Sequence, residues 1–153
     1  MQRVKFASLL ALLIALLGAL CVPRAVAECT AATIGNTYGF HFDGLQGPAA
    51  ATALKISAFL PAAGVGEISF TATSDTGGTI SGFQNLSFGG VQVQPTFTGM
   101  YTVNAPKCTG SIAVMFQDGG GPHLNFVIVK GGEEIQWLQI DAGVILQGVM
   151  EKE

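Results

Sequence analysis

Apolar and polar residues alternate with a period of two along most of the chain. Ile68, Phe70 and Ala72 alternate with Glu67, Ser69, Thr71 and Thr73. Phe97, Gly99, Tyr101 and Val103 alternate with Thr96, Thr98, Met100 and Thr102, and Ile112, Val114 and Phe116 with Ser111, Ala113 and Gln117. This period places one set of side chains on one face of a β-strand, and threonine, phenylalanine, valine and isoleucine suit a pleated surface. Turn signals separate the runs, among them Asp75-Thr76-Gly77-Gly78, Gly89-Gly90, Asn104-Ala105-Pro106-Lys107, Lys130-Gly131-Gly132-Glu133 and Asp141-Ala142-Gly143. Glycine supplies the positive φ of tight turns, and Asn and Asp tolerate it. The pattern predicts strands near 37–43, 65–73, 79–88, 96–104, 108–117, 123–130, 133–141 and 144–151. Residues 49–60 read either as a short alanine-rich helix or as a further strand from about 53, ended in both cases by Pro61.

Eight or nine consecutive strands with short connections make an antiparallel up-and-down meander, because crossover helices for a parallel sheet have no room. The fold expected is all-β, a closed or nearly closed barrel of about eight strands, with a β-sandwich as the alternative. The later strands are apolar on both faces: Leu124, Phe126 and Ile128 are backed by Val127 and Val129, and Ile135 and Trp137 by Leu138 and Ile140. One face can fill the barrel. The other calls for a cover, either segment 49–60 or a second copy of the chain docked through residues 123–151.

The first 27 residues have a different pattern. Arg3 and Lys5 precede an apolar run from Phe6 to Val22, Pro23 and Arg24 break it, and Ala25-Val26-Ala27 has the small-x-small form of a signal-peptidase site. Cleavage is expected after Ala27, giving a secreted or periplasmic protein with no stable membrane anchor; the apolar run is shorter than the ~20 residues that span a bilayer. Leu20 and Gly18 stand where a lipoprotein signal at Cys21 would carry a small residue and leucine, which sets lipidation aside. Residues 28–153 then form one domain.

Removing the leader changes the charge. Arg3, Lys5 and Arg24 leave with it, so four lysines face ten acidic residues, a formal charge of −6, and no arginine remains. Nucleic-acid binding rests on clustered positive charge and arginine forks, so nucleic acid is excluded as a partner. Two cysteines remain, Cys29 and Cys108. In an exported protein such a pair reads as a disulfide, here closing a loop of about 80 residues worth on the order of 4 kcal/mol in the chain-entropy model.

Candidate chemistry is sparse. His41 and Asp43 share one strand face and could act as a base and its orienter, with Tyr38 as a further acid/base candidate; the competing reading is a solvent-facing edge opposite a Tyr38-Phe40-Phe42 core stripe. His123 reads as a polar strand start. No metal-ligand spacing, nucleophile elbow or phosphate loop occurs, and no cofactor is implied. Asp75, Asp118 and Glu133-Glu134 fit turn chemistry. The aromatics matter more: Phe40, Phe70, Phe97, Tyr101, Phe126 and Trp137 could line an apolar ligand pocket, or fill the barrel as a packed core.

Several segments carry a resemblance: Asn36-Thr37-Tyr38-Gly39-Phe40, Gly66-Glu67-Ile68-Ser69-Phe70, Thr96 to Asn104, Cys108-Thr109-Gly110-Ser111, and Phe126-Val127-Ile128-Val129 onward to Gly143. They resemble a loose family of small exported bacterial proteins of unknown function with a G-x-Y start, a T-G-x-Y-x-V strand and a C-T-G strand. The resemblance implies a β-barrel-like domain and brings no catalytic residue. In outline the meander is also similar to lipocalin, avidin and allene-oxide-cyclase barrels, although the lipocalin G-x-W start is absent and Gly39-Phe40 is its nearest match. The function expected is a non-enzymatic exported barrel that binds a small apolar ligand or serves as a structural or interaction module; the alternative is a cavity enzyme, an isomerase or cyclase with few polar groups.

Overall fold

The computed structural model describes residues 28–47 and 59–153. The leader with its cleavage site, Cys21 and most of segment 49–60 lie outside the described residues. Nine strands follow in order: β1 Thr37–Gln46, β2 Leu60–Ser74, β3 Gly77–Phe88, β4 Val91–Val93, β5 Thr96–Asn104, β6 Thr109–Phe116, β7 His123–Val129, β8 Glu134–Gln139 and β9 Val144–Lys152. Each pairs antiparallel with its neighbours. β1 pairs with both β2 and β9, which closes the ring. The alternation that predicted the strands also sets their faces: Ile68, Phe70, Phe97, Tyr101, Ile112, Leu124, Phe126, Ile128, Ile135 and Trp137 all point inward and are buried.

Two details depart from the expected pattern. Pro61 does not end a segment; it is the second residue of β2, opposite Leu45. Proline is tolerated there because it sits at the start of the strand, where a missing N–H interrupts few ladder bonds. Secondly, β4 has no counterpart among the strands expected from the alternation. It faces the end of β3 across a Gly89-Gly90 turn with both glycines at positive φ. Leu86 faces Val93 and Phe83 faces Thr96, so β4 and β5 keep one register along β3. Pro95 splits them, and its carbonyl still accepts the Gln84 N–H at 3.1 Å. The barrel therefore has eight staves, one of them interrupted where proline removes a donor.

Inside, large rings lie on glycines. Phe42 pairs with Gly64, Phe40 with Gly66, Phe97 with Gly82, Phe126 with Gly110, and Trp137 with Gly148. A Cβ at Gly64, Gly66, Gly82 or Gly148 would come within 2.6 Å of its ring. These glycines are spaces that admit rings to a lumen too narrow for two side chains side by side.

One end of the barrel is plugged. Residues Ala31–Ile34 form a 3-10 turn whose Ala31 and Ile34 are wholly buried. Ala31 N–H donates to Asp75 O at 2.9 Å, Tyr101 Oη donates to Ala31 O at 3.3 Å, and Tyr38 Oη donates to Gly132 O at 2.6 Å. The expected disulfide joins Cys29 of this plug to Cys108 at the start of β6, with Cα atoms 5.1 Å apart. The opposite end, where β1 leaves and β2 enters, is termed the mouth, and residues 48–58, which join the two strands there, lie outside the described residues.

Candidate functional site

The barrel interior holds two groups of rings in contact. At the plug, Tyr38 and Tyr101 each meet Phe70 edge-on, with centroids 5.6 and 5.1 Å apart. Towards the mouth, Phe97, Phe40, Phe42 and Trp137 follow at 6.3, 6.3 and 5.7 Å. Phe40, Phe70, Phe97, Tyr101, Phe126 and Trp137, the six aromatics expected either to line a pocket or to fill the barrel, are all buried in its interior. Above them Leu86, Leu124 and Leu146 are buried, and a half-buried collar of Phe88, Val114, Phe116 and Val144 packs around the mouth.

Polar groups inside this wall are unevenly satisfied. Both tyrosine hydroxyls are bonded at the plug. Burial, with smaller contributions from the charge of Glu133 and from Tyr101, pushes the Tyr38 phenol up to about 12. Burial also raises that of Tyr101. Trp137 differs: its indole Nε1 is buried and has no hydrogen-bond partner among the described residues. A buried donor left unpaired costs about 1–3 kcal/mol, so this is a point in the lumen where a polar atom is wanted and missing.

The weaker catalytic candidates do not converge. Tyr38 points into the lumen, whereas His41 and Asp43 point outward from the same strand and are exposed. No hydrogen bond joins His41 to Asp43 among the described residues. The structure pairs histidine and aspartate elsewhere. His123 Nδ1 lies 2.8 Å from Asp141 Oδ1, the His123 backbone N–H donates to Asp141 Oδ2 at 2.9 Å, and Gln139 Nε2 donates to the same oxygen at 2.8 Å. Burial opposes the ionised carboxylate, but these bonds outweigh it and hold Asp141 below the usual carboxylate range. The two residues are 18 apart in sequence, and only the β7–β8 pairing brings them together. No spacing rule could have found them.

The outer wall holds two concavities that meet at His41. The larger has a volume of about 960 Å³ and the smaller about 450 Å³. The larger follows two outward-facing rows across six strands. One row is Asp43, Gln147, Leu138, Asn125, Ser111 and Thr102; the other is His41, Val149, Gln136, Val127, Thr109 and Asn104. The rows run obliquely across the wall, from the middle of β1 to Asn104 and Thr109 beside the turn at the plug end, and this concavity is termed the waist groove below.

No known protein-family profile matches the chain, and no curated protein matches it significantly. Two solved barrels share its fold. One is a de novo designed fluorescence-activating β-barrel, with a TM-score of 0.55 and 13% identity over 80% of this chain and 96% of that one. The other is EF1p2_mFAP2b bound to DFHBI, with a TM-score of 0.54 and 12% identity over 83% of this chain and 99% of that one. At such identity the likeness is one of fold.

Proposed function

We propose that this is an exported, non-enzymatic barrel that takes a small apolar ligand with one hydrogen-bond acceptor through its mouth. The observation that carries the reading is the unpaired, buried Nε1–H of Trp137, set below an apolar collar of half-buried side chains. An acceptor there would recover the cost of the orphan donor, while the rest of the ligand replaces apolar contacts among Phe42, Leu124, Leu146 and Phe116. Of the two similar barrels, one is fluorescence-activating and the other is bound to DFHBI, which supports small-molecule uptake by this architecture. The disulfide and the leader pattern support an oxidising, exported location. The separation of Tyr38 from His41 and Asp43 supports a binding role over cavity catalysis.

Trp137 is the chain's one tryptophan, so its emission reports on the lumen directly. Titration with the neutral dye N-phenyl-1-naphthylamine should give saturable, one-to-one energy transfer from Trp137. A paired series, a hydrocarbon and the same skeleton bearing a ketone, should compete with the dye. Read by the dye's own emission on direct excitation, Trp137→Phe should weaken the ketone about three- to tenfold, the value of one net hydrogen bond, and leave the hydrocarbon unchanged. Absence of saturable transfer would refute the reading and assign the lumen to core packing.

A further inference from the structure

The waist groove opens on the outer wall: most of its lining is the outward set of the same strands, and the inward-facing Val103, Phe126 and Trp137 also border it. Its chemistry is unusual for an acidic protein. Asn104, Asn125, Gln136 and Gln147 bring four carboxamides into the concavity, and Asp43 is the single carboxylate among its described lining residues. No lysine is among them, and Lys107 lies in the turn between the lining residues Asn104 and Thr109. Val127, Leu138 and Val149 form an apolar spine between the amides, and Val127 and Leu138 remain 44% and 48% exposed.

From this we infer a second binding site, for a neutral polyhydroxylated chain such as an uncharged oligosaccharide laid along the waist groove. A carboxamide has one acceptor and two donors, matching hydroxyls that both give and accept, and one of the Gln136 donors is already held by Glu134 Oε1 at 3.0 Å. The aliphatic spine suits the C–H faces of sugar rings. Neighbouring strands lie about 4.8 Å apart, so the six-strand groove is roughly 24 Å long and meets the ligand with a fresh polar group at a spacing close to one pyranose unit. A lining of carboxamides rather than lysine or arginine disfavours anionic polymers, which need charge-assisted partners. An extended peptide is disfavoured because recognition by strand addition needs a free sheet edge, and ring closure leaves none in this wall.

The test uses protein expressed from the full coding sequence on an array of neutral oligosaccharides, with uronic-acid and sulfated glycans and unstructured peptides as comparison arms. Retention by neutral glycans is expected, strengthening with chain length up to the span of the groove. The double variant Gln136→Ala, Gln147→Ala should lose about tenfold in affinity, as two net hydrogen bonds require. Leu138→Lys, which puts a desolvated charge on the spine, should lose at least as much. All three residues are exposed on the outer wall, so the fold should survive in both variants, read by far-UV circular dichroism; Gln136→Ala also removes the N–H donated to Glu134 Oε1 at 3.0 Å, so Gln147→Ala alone is the variant expected to keep its melting temperature. No neutral-glycan retention, retention restricted to anionic glycans or peptides, or neutral-glycan binding unchanged in both variants would overturn the assignment. Displacement of the lumen dye by the glycan would also overturn it, by placing that ligand in the barrel.

Discussion

Gly148→Ala adds one methyl group to the barrel, at a position where the structure leaves no room. A Cβ there would lie 2.6 Å from Trp137 Cζ2 and 2.7 Å from Cε2, and closer still to the main-chain oxygen of His41. Side-chain rotation alone cannot relieve both contacts, since the oxygen belongs to the neighbouring strand β1. Overpacking of this kind costs typically about 1–3 kcal/mol, and the backbone contact places this case near the top of that range, about 3 kcal/mol. For a domain of this size each kcal/mol lowers Tm by about 4 °C, so a fall of about 12 °C is expected in differential scanning calorimetry. The matched control is Gly39→Ala. Gly39 faces outward in β1, and a Cβ there meets only Glu153 Oε1, at 3.5 Å. That change restricts the unfolded chain and should stabilise by about 0.4–1 kcal/mol. The emission of Trp137 should shift in Gly148→Ala and stay fixed in Gly39→Ala. Equal effects from the two substitutions would refute the claim that rings rest on glycines inside the barrel.

Other outcomes follow from the same geometry. Replacing Cys29 and Cys108 by alanine frees the plug and should cost about 4 kcal/mol by loop entropy, read by urea denaturation; the unsubstituted protein should fall to the same midpoint only in strong reductant. Tyr38→Phe leaves the Gly132 carbonyl without its 2.6 Å donor and should cost about 1–2 kcal/mol in the same assay. The Tyr38 phenol, raised by burial to about 12 against an ordinary 10, makes the folded state hold its proton longer. Its contribution is complete below pH ~10 and is lost as pH rises towards 12. Phenolate absorbance of the native protein should therefore appear late, and a normal tyrosine titration would contradict the closed plug. Asp141, held low by its bonds to His123 and Gln139, stabilises above its unfolded value and ceases to as pH falls through the folded one. Asp141→Asn should remove that acid-limb dependence in melting curves taken at strongly acidic pH, below the ordinary carboxylate range.

The strands were legible because a barrel wall has one packed face and one wet face, and period-two alternation records that. Val127, Leu138 and Ile140 are the outward apolar residues that the alternation marks as a second face, and they stand exposed on the outer wall of the single chain. Pro61 stands inside β2, and Pro95 between two strands that keep one register along β3. Proline's local rule marks a break, but a strand's first residues and a single interrupted stave can absorb it. The strand glycines carried no signal at all. Gly64, Gly66, Gly82, Gly110 and Gly148 look like weak points in a one-dimensional pattern, and only the cross-strand register shows a ring opposite each. The groove was invisible for the same reason, since its rows run across strands and so sample one residue from each of six distant segments.

Ring closure also sets the order in which the barrel can be made. The seam joins β1, residues 37–46, to β9, residues 144–152, far apart in the chain, whereas almost every other pairing is between chain neighbours. Hairpins can form early and locally, but the last junction must wait for the far end of the chain and carries the largest loop-closure cost. Until then β1 presents an open edge that any strand could extend, including that of another copy. Assembly of this protein is thus a race between intramolecular closure and association, one that dilution favours and crowding of nascent chains opposes.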